Sequence, residues 1–249
     1  KKINLININF NQKKPFDKIS SKSNIYIEKS FDIALKIMSS KISNKFINGP
    51  VSKKFFLKKK YPGVTEYIAE KNNIKKFAML IYNNELSVCP LTTHIPIKQI
   101  TNHITKKNLS QKVDLINSFY LKHRKFKPRI GVIGLNPHCE STDSYNEDDK
   151  IIKPAIKSLK KLGFKISGPF SADTIFIKSN RSKFDVIIGM YHDQVLAPIK
   201  SIFGFKAINI TLGLPFLRIS PDHGPNSEMF LKNKSNPDSL IEAIKFLDR

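Results

Sequence analysis

An alternation of short apolar runs with longer helical stretches constrains the fold of this chain more than any other feature. The apolar runs, rich in β-branched and aromatic residues, are "INLININ", "KFINGPV", "FAMLIYN", "LSVCPLTTH", "RIGVIGLNPH", "DVIIGMYHD" and "AINITLGLP". The stretches with helical periodicity are "SFDIALKIMSSKI", "LSQKVDLINSFYLKH", "DDKIIKPAIKSLKKLG" and "PDSLIEAIKFLD". Such alternation is typical of an α/β fold, and it predicts a mostly parallel sheet covered by helices.

The composition indicates a globular chain with a substantial core. With 249 residues, of which 40% are hydrophobic, the chain can form one large or two modest α/β domains. No stretch reaches the ~18 consecutive apolar residues of a membrane-spanning helix. The start lacks a signal-peptide core and an initiator Met, so we expect a processed or shortened chain. The two cysteines, Cys89 and Cys139, show no CxxC spacing, which favours a reducing, cytoplasmic location.

The net charge of +23 raises the question of a polyanionic partner. Lys and Arg together number 43, against 20 Asp and Glu. The positive residues are mostly Lys spread along the whole chain, without a helix-turn-helix, zinc-finger or RNP pattern. Scattered lysine is typical of a solvated surface. We therefore expect no specific nucleic-acid partner, whereas an anionic small substrate fits the charge.

Three of the six histidines directly follow apolar, strand-like runs. His94 follows "LSVCPLTT", His138 follows "RIGVIGLNP" and His192 follows "DVIIGMY". Ligands bind at the carboxyl ends of strands in open α/β sheets, so three strand-end histidines would share one rim. Three neutral imidazoles are a common ligand set for a catalytic divalent metal. The pattern alone supports a metal site about as well as it supports three separate structural histidines.

Further polar residues surround a glycine-punctuated segment late in the chain. The stretch "KSIFGFKAINITLGLPFLRIS" contains Lys200, Asn209 and Arg218. Lys and Arg can bind an anion such as phosphate through point-charge and bidentate contacts. Taken alone, three surface residues of a lysine-rich protein are the simpler interpretation. The sequence contains no Walker A motif, no GxGxxG fingerprint and no G-x-S-x-G nucleophile elbow.

Six motifs taken together resemble one enzyme family. They are "NGPVSK", "TTHIPI", "GLNPHCE", "GPFSADTIF", "MYHDQVLAPIK" and "NITLGLPFLRISPDHG", in this order between residues 48 and 224. In order and spacing, the chain resembles the 4-hydroxythreonine-4-phosphate dehydrogenase family of pyridoxal 5′-phosphate biosynthesis. The resemblance implies an α/β fold of the isocitrate/isopropylmalate dehydrogenase type, with two subdomains and a cleft at a homodimer interface. We expect residues 1–63 with 225–249 to form the first subdomain and 64–224 the metal- and substrate-binding subdomain.

The resemblance also implies a reaction. The family oxidises the secondary alcohol of its substrate with NAD, or alternatively NADP. The resulting 3-oxo acid then loses CO₂ to give 3-amino-2-oxopropyl phosphate. A divalent metal assists, with zinc the first candidate and magnesium, manganese or cobalt as alternatives, because imidazole ligands select weakly among these ions.

The family's site residues can be matched to positions in this chain. Its metal ligands match His94, His138 and His192. Its substrate contacts match four residues spread along the chain: Thr65, Lys200, Asn209 and Arg218. Asp193, which follows the matched ligand His192, is predicted to orient that histidine or to relay a proton.

Three departures from the family pattern bear on these expectations. Family members begin with a strand and a "GDPxGxGPE"-type segment that does not occur here, so the chain enters part-way through the first subdomain. They commonly carry G-H-T-E where this chain reads "GVTE", so Val64 replaces a substrate-contacting His. The stretches after "GLNPH" and "DHG" read "CESTDSYNEDD" and "PNSEMFLKN" instead of the usual glycine-rich ones, the second in a region expected near the adenosine of NAD.

Three hypotheses therefore remain open. The first is the vitamin B6 dehydrogenase. The second is a paralogue that oxidises another phosphorylated hydroxy acid, such as erythronate or threonate 4-phosphate, or a carboxylated diol. The third is a truncated, non-catalytic relative whose basic surface binds polyanions. Metal-supported NADH production on the different substrates distinguishes them.

Overall fold

The computed structural model describes residues 3–12, 14, 17–57 and 60–248, and one eight-stranded sheet organises these residues. Its strands are β1 (Lys45–Ile47), β2 (Ala78–Tyr82), β3 (Ser87–Pro90), β4 (Ile130–Ile133), β5 (Ile166–Phe170), β6 (Val186–Gly189), β7 (Ile208–Leu212) and β8 (Leu217–Pro221). The strand order across the sheet is β1-β8-β7-β2-β3-β6-β4-β5.

The sheet is mostly parallel, as predicted. Strands β3, β6, β4 and β5 form a continuous parallel block, and β1 pairs in parallel with β8. The pairs β2–β3, β2–β7 and β7–β8 are antiparallel. Because β3 and β7 are both antiparallel to β2, β7 runs in the same direction as the parallel block. The carboxyl ends of β3, β4, β5, β6 and β7 therefore lie at one edge of the sheet.

The helices cover both faces of this sheet. They are α1 (Asn24–Ser39), α2 (Val64–Lys71), α3 (Ile100–His103), α4 (Lys106–Arg124), α5 (Lys153–Lys161), α6 (Lys178–Arg181), α7 (His192–Phe203) and α8 (Asp238–Leu247). The four predicted helical stretches correspond to α1, α4, α5 and α8. The prediction missed α2, α3, α6 and α7, because the first three are short and α7 begins with polar residues and contains Pro198.

The long helix α4 shows how the pattern sets the packing. Five of its apolar residues recur every three or four positions and are buried: Leu109, Val113, Ile116, Phe119 and Tyr120. The Thr105 hydroxyl accepts a hydrogen bond from the Asn108 N–H at 3.1 Å, which caps its first turn. Lys122, His123 and Arg124 in the last turn suit the negative end of the helix dipole.

Strands β2, β3, β4 and β6 are buried on both faces, which explains their continuous apolar runs. Along β2, Ala78, Leu80 and Tyr82 pack into one cluster with α4, α5 and α8, whereas Met79 and Ile81 pack into a second cluster with α7. Each fully buried aliphatic side chain contributes about 1.5–3 kcal/mol, so this two-sided burial holds the sheet together. A third apolar cluster lies between α1 and α2 and includes Phe31, Tyr67 and Phe216.

Three strand assignments differ from the sequence prediction. The run "INLININ" forms no strand, and its Ile3 and Leu5 are 96% and 87% exposed. An alternating pattern gives a strand only where a partner strand accepts its hydrogen bonds, and no pairing of this run occurs among the described residues. Conversely, β5 and β8 were not predicted. The first contains the turn-forming pair Gly168-Pro169 and the second contains a charged residue, Arg218.

The predicted division into two subdomains remains a prediction. Strand β1 belongs to the predicted first subdomain and pairs with β8 of the predicted second one, within the same sheet. Residues 1, 2, 13, 15, 16, 58, 59 and 249 of the predicted first subdomain lie outside the described residues. Among the described helices, none combines the length and the hydropathy needed to cross a membrane.

Candidate active site

Two of the three strand-end histidines lie next to each other at the carboxyl edge of the sheet. His94 follows β3, and His192 is the first residue of α7, after the adjacent strand β6. The centroids of the two imidazole rings are 5.3 Å apart, and the ring planes are inclined by 41°. We refer to His94 and His192, with Glu66, Thr93 and Asp193 against them, as the histidine cluster.

His138 lies apart from this pair. It sits in a 3-10 turn (Pro137–Cys139) after β4, with a left-handed backbone at φ +54° and a side chain that is 74% exposed. Its Nδ1 lies 3.4 Å from the Ser171 hydroxyl and 3.9 Å from a carboxylate oxygen of Asp173. No group of three or more His, Cys, Asp or Glu side chains arranged to hold a metal occurs in the part of the chain that the structure describes. The three-histidine metal site therefore remains a prediction.

Each of the three histidines has a carboxylate facing its Nδ1 atom. The distances from Nδ1 to the nearest carboxylate oxygen are 3.7 Å for His94 and Glu66, and 2.7 Å for His192 and Asp193. For His138, the Asp173 carboxylate occupies the corresponding place. A carboxylate at one imidazole nitrogen favours a proton there and leaves Nε2 as the ligating atom, which is the usual support of metal-binding histidines. The predicted orienting role of Asp193 is consistent with this geometry.

Two buried atoms of the histidine cluster have no hydrogen-bond partner among the described residues. They are Oε2 of Glu66 and Nδ1 of His94. Burial by itself raises the pKa of Glu66, but the contact with His94 and the hydroxyl of Thr93, whose Oγ1 donates to Oε1 at 2.9 Å, together hold that pKa below its ordinary value. An ionised, incompletely satisfied carboxylate beside an imidazole suits a bound cation, because buried polar atoms are normally paired. The residues present therefore fit a metal.

A second group of polar residues surrounds Arg218 on β8. The side chain is 1% exposed, and its Nε donates to Asn48 Oδ1 at 2.7 Å. Its Nη1 donates to Thr211 Oγ1 at 2.9 Å and more weakly to Thr65 Oγ1 at 3.4 Å. We refer to Arg218, Asn48, Thr65 and Thr211 as the arginine cluster. Its register follows from the sheet, because Thr211 on β7 lies directly opposite Arg218 on β8.

The charge of Arg218 is not compensated by a carboxylate. All three of its acceptors are neutral oxygens, and no ion pair with Asp or Glu within 4.0 Å involves it among the described residues. Burial lowers the pKa of Arg218 to about 10, although the nearby negative charge of Glu66 acts to raise it. Buried charges are normally paired, so an uncompensated guanidinium of this kind suits an anion.

The other two predicted substrate contacts lie outside the arginine cluster. Lys200 on α7 contacts a carboxylate oxygen of Asp222 at 2.7 Å. Burial raises the pKa of the Asp222 carboxyl, and Lys200 acts in the opposite direction. Asn209 lies two residues before Thr211 on β7 and thus on the same sheet face, with a buried Oδ1 that has no hydrogen-bond partner among the described residues.

The first turn of α2 joins the two clusters. Thr65 contacts Arg218, and the next residue, Glu66, contacts His94. Val64, which occupies the place of the family histidine, is half-buried and packs against the apolar cluster between α1 and α2. Four residues of these contacts had no predicted role: Asn48, Glu66, Thr211 and Asp222. Asn48, Thr211 and Asp222 lie in motifs that carry the family resemblance, which was the available signal for them, whereas Glu66 lies in the divergent stretch 63–66.

The fold and the edge at which these polar groups gather define a class of α/β proteins that includes isocitrate dehydrogenase. A crystal structure of isocitrate dehydrogenase from Methylococcus capsulatus matches 90% of this chain and 74% of its own, with a TM-score of 0.56. At 12% identity this likeness concerns the fold alone. The predicted fold class is confirmed.

The chain belongs to the family of the pyridoxal phosphate biosynthetic protein PdxA, whose family model matches residues 1–247. A relative from Sulfurihydrogenibium sp. (strain YO3AOP1), named 4-hydroxythreonine-4-phosphate dehydrogenase, is 42% identical over 226 residues, which are 89% of this chain and 68% of the relative. A relative from Pectobacterium atrosepticum, named D-threonate 4-phosphate dehydrogenase, is 31% identical over 186 residues, 74% of this chain and 57% of the relative. The predicted family is confirmed.

Solved structures agree with this membership. A crystal structure of 4-hydroxythreonine-4-phosphate dehydrogenase from Klebsiella pneumoniae matches 92% of this chain with a TM-score of 0.77 and 27% identity. The match covers 71% of that chain. This chain thus spans 68% and 57% of the length of the two curated relatives, and 71% of the solved one.

Proposed function

We propose that this chain oxidises 4-hydroxythreonine 4-phosphate with NAD and decarboxylates the product to 3-amino-2-oxopropyl phosphate, a step of pyridoxal 5′-phosphate biosynthesis. The observation that carries the proposal is the connection of the two clusters through the first turn of α2. Thr65 contacts the buried cation Arg218, and Glu66 contacts His94. A group that suits a metal and a group that suits an anion are therefore held next to each other, as a phosphorylated hydroxy acid requires.

The histidine cluster is the proposed metal site. His94, His192 and His138 would hold a divalent ion, zinc in the first place. Asp193 hydrogen-bonds Nδ1 of His192 and orients that ring, whereas Glu66 places its negative charge 3.7 Å from Nδ1 of His94. When bound, a divalent ion supplies Lewis acidity: it lowers the pKa of a ligated hydroxyl and polarises a carbonyl during decarboxylation.

The arginine cluster and its neighbours are the proposed anion site. Arg218 is already oriented by three neutral acceptors, so it can meet a phosphate or carboxylate without reorganising. Lys200 adds a second cation, and the unpaired Oδ1 of Asn209 accepts from a substrate hydroxyl or ammonium group. Holding both ends of the substrate would fix the orientation of its reacting C–H, and NAD, when bound, would supply the hydride acceptor.

The proposed active form is a homodimer with a site completed across two chains. The support is the position of His138, whose largely exposed side chain stands apart from His94 and His192 in a single chain. A monomer would then lack one metal ligand. Light scattering at the assay concentration tests this, since an active monomer contradicts it.

The proposed location is the cytoplasm. Both cysteines, Cys89 and Cys139, are buried and unbridged. Burial raises the pKa of the Cys89 thiol to about 11, so this thiol stays protonated and unreactive at neutral pH. Two inert thiols fit a reducing compartment.

A second candidate is the oxidation of D-threonate 4-phosphate. The name of the Pectobacterium relative favours it, together with Val64 at the position where a histidine would contact substrate. Valine offers neither a donor nor an acceptor to a substrate polar group. Erythronate 4-phosphate and carboxylated diols belong to the same alternative.

The deciding experiment is a steady-state assay of NADH production with added zinc, magnesium, manganese or cobalt. We expect the highest kcat/KM with 4-hydroxythreonine 4-phosphate, and a higher value with NAD than with NADP. Turnover of D-threonate or D-erythronate 4-phosphate alone identifies the second candidate. No turnover of any substrate with any metal contradicts both and leaves a non-catalytic relative.

A further inference from the structure

Gln194 links the carboxyl ends of two neighbouring strands. Its Oε1 accepts a hydrogen bond from the backbone N–H of Met190, just after β6, at 2.7 Å. Its Nε2 donates to the backbone carbonyl of Gly134, just after β4, at 2.8 Å. One amide side chain thus satisfies a donor on one strand end and an acceptor on the other. These two strand ends lead directly to His192 and His138.

The same junction extends to the third histidine-bearing segment. Thr92, which lies between β3 and His94, donates from its hydroxyl to the backbone carbonyl of Met190 at 2.7 Å. The Met190 carbonyl therefore accepts a hydrogen bond from Thr92, and the Met190 N–H donates one to Gln194. The segments leading to His94, His192 and His138 are joined through this one residue, and Gln194 supplies the connection to the last of them.

Close packing keeps Gln194 in this place. A Cβ atom at Gly189 would lie 2.5 Å from Cγ1 of Val195 and 3.0 Å from Oε1 of Gln194. Only glycine lets the first turn of α7 approach the end of β6 this closely. The side chain of Gln194 is itself half-buried, so it has little freedom to exchange its two partners for water.

Asp148 holds the other side of the segment that leads to His138. This fully buried carboxylate accepts from the Leu135 N–H at 2.9 Å, and from the Asn136 N–H and side-chain amide at 3.1 and 3.0 Å. Gly134 is again a close approach, since a Cβ there would lie 2.6 Å from Oδ1 of Asp148. The segment is fixed from two sides before it reaches His138, whose left-handed backbone is unfavourable for a non-glycine residue.

We propose that Gln194 is a positioning residue that sets the separation of the segments presenting His138 and His192 before any ligand binds. Its effect on metal binding rests on the proposed function, whereas the bridge itself does not. The two hydrogen bonds of Gln194 fix both segments in the same way whether His138 and His192 belong to one site or to the two sites of a dimer.

Three variants separate this role from general stabilisation. Gln194→Ala removes both hydrogen bonds. Gln194→Glu keeps an acceptor for the Met190 N–H but removes the donor to the Gly134 carbonyl. Gln111→Ala on α4 is the matched control, because Gln111 is also half-buried and has no side-chain hydrogen bond among the described residues.

The first measurement is amide hydrogen exchange in the metal-free protein. Gln194→Ala is expected to speed exchange at least tenfold at Met190, whose N–H loses its acceptor, and at Leu135, whose N–H shares a peptide unit with the Gly134 carbonyl, relative to Ile210 in the buried strand β7, whose amide reports global opening. Gln194→Glu should speed it only at Leu135, and Gln111→Ala at neither position. If exchange at these amides is unchanged, or rises only in parallel with exchange at Ile210, then Gln194 does not hold the two strand ends together.

The second measurement is zinc affinity by competition with a chelator. Gln194→Ala is expected to bind zinc about 10- to 100-fold more weakly than the wild type, as loss of a supporting partner typically does, while Gln111→Ala binds as the wild type does. Faster exchange with unchanged zinc affinity overturns the positioning role. A wild type that binds no zinc contradicts the proposed metal site, and the exchange data then decide the bridge alone.

Discussion

The histidine cluster and the arginine cluster lie next to each other but are satisfied in opposite ways. Arg218 is fully buried and makes three hydrogen bonds to neutral oxygens, yet no carboxylate balances its charge. His94 and His192 are partly exposed and face carboxylates, yet Nδ1 of His94 and Oε2 of Glu66 lack hydrogen-bond partners among the described residues. The arginine cluster has its hydrogen bonds but no counter-charge. The histidine cluster has carboxylates beside its imidazoles but contains buried polar atoms that are unpaired among the described residues.

Under the proposed function, this difference would let one site take a metal and an anion together. A preorganised guanidinium binds an anion without having to move, because its orientation is already fixed by protein acceptors. A histidine pair with carboxylates nearby suits a cation, because the negative charge of Glu66 and Asp193 favours a positive charge beside the rings. The four predictions below test this division, from the largest expected effect to the smallest.

The histidine cluster should lose metal binding when one ring is removed. We expect His192→Ala to weaken zinc binding more than about a hundredfold, about 2.7 kcal/mol, because loss of a ligand exceeds the 10- to 100-fold cost of losing a supporting partner. His103→Ala is the control, since His103 is exposed on α3. Elemental analysis and chelator competition measure the effect. Equal zinc content in both variants removes His192 from the ligand set.

The arginine cluster should lose substrate binding while the fold persists. We expect Arg218→Met to lower kcat/KM for the phosphorylated substrate about 10- to 100-fold, because a charge-assisted contact contributes about 1.5–3 kcal/mol. The unfolding free energy should change less, since removing a buried, uncompensated charge relieves a desolvation cost that offsets the lost hydrogen bonds.

Arg129→Met provides the matched control for Arg218. Arg129 is half-exposed and paired with a carboxylate, Asp185, so its variant reports the loss of a compensated arginine outside the arginine cluster. A large loss of stability in Arg218→Met, with unchanged kcat/KM in the protein that folds, would mean that the arginine cluster is structural. The arginine cluster would then not be an anion site, and its contrast with the histidine cluster would not hold.

The variant Val64→His tests whether the valine at this position, where the family carries a histidine, affects substrate binding. We expect Val64→His to change KM for 4-hydroxythreonine 4-phosphate by less than about tenfold, or ~1.4 kcal/mol. The reason is that Val64 packs against the apolar cluster between α1 and α2, while the adjacent Thr65 keeps its contact with Arg218. Val64→Leu controls for the change in volume. A much larger gain in kcat/KM, or turnover of a different phosphorylated acid alone, shows that the proposed substrate is wrong.

Asp222→Asn should alter the pH dependence of stability. Burial raises the pKa of Asp222, although Lys200 acts to lower it, so the folded state binds this proton more tightly than the unfolded chain does. Its stabilising contribution is therefore complete below the ordinary Asp pKa of about 3.9 and is lost as the pH rises through the folded value. Urea unfolding between about pH 3.5 and 7 should show the wild type losing stability relative to Asp222→Asn. A pH-independent difference contradicts the raised pKa.

The sequence predicted those parts of the molecule whose pattern depends on local periodicity. Strands β2, β4 and β6 read as continuous apolar runs because both of their faces are buried. Helix α4 shows its buried stripe every three or four residues, and α5 ends before Gly163, whose φ of +85° suits a helix end. The three histidines after strands were visible for the same reason, since a polar residue that ends an apolar run marks a strand end.

Elements with weaker local signals were missed or misplaced. Helix α7 begins at the polar residue His192 and contains Pro198, so its first turn read as a strand end followed by a loop. The run "INLININ" has a strand pattern but no strand to pair with among the described residues. In both cases the deciding factor was the neighbouring structure, which local propensity does not encode.

The sequence by itself determined the α/β class, the family and the residue types gathered at one edge of the sheet. Only the tertiary structure decided which of them touch. Arg218 meets Asn48 across 170 residues of chain, and it faces Thr211 because β7 and β8 pair in one antiparallel register. His138 follows its strand as His94 and His192 do, yet its loop directs it to Ser171. Contacts of this kind depend on strand order and loop path, which are set by the packing of the whole chain and leave no periodic trace in any one segment.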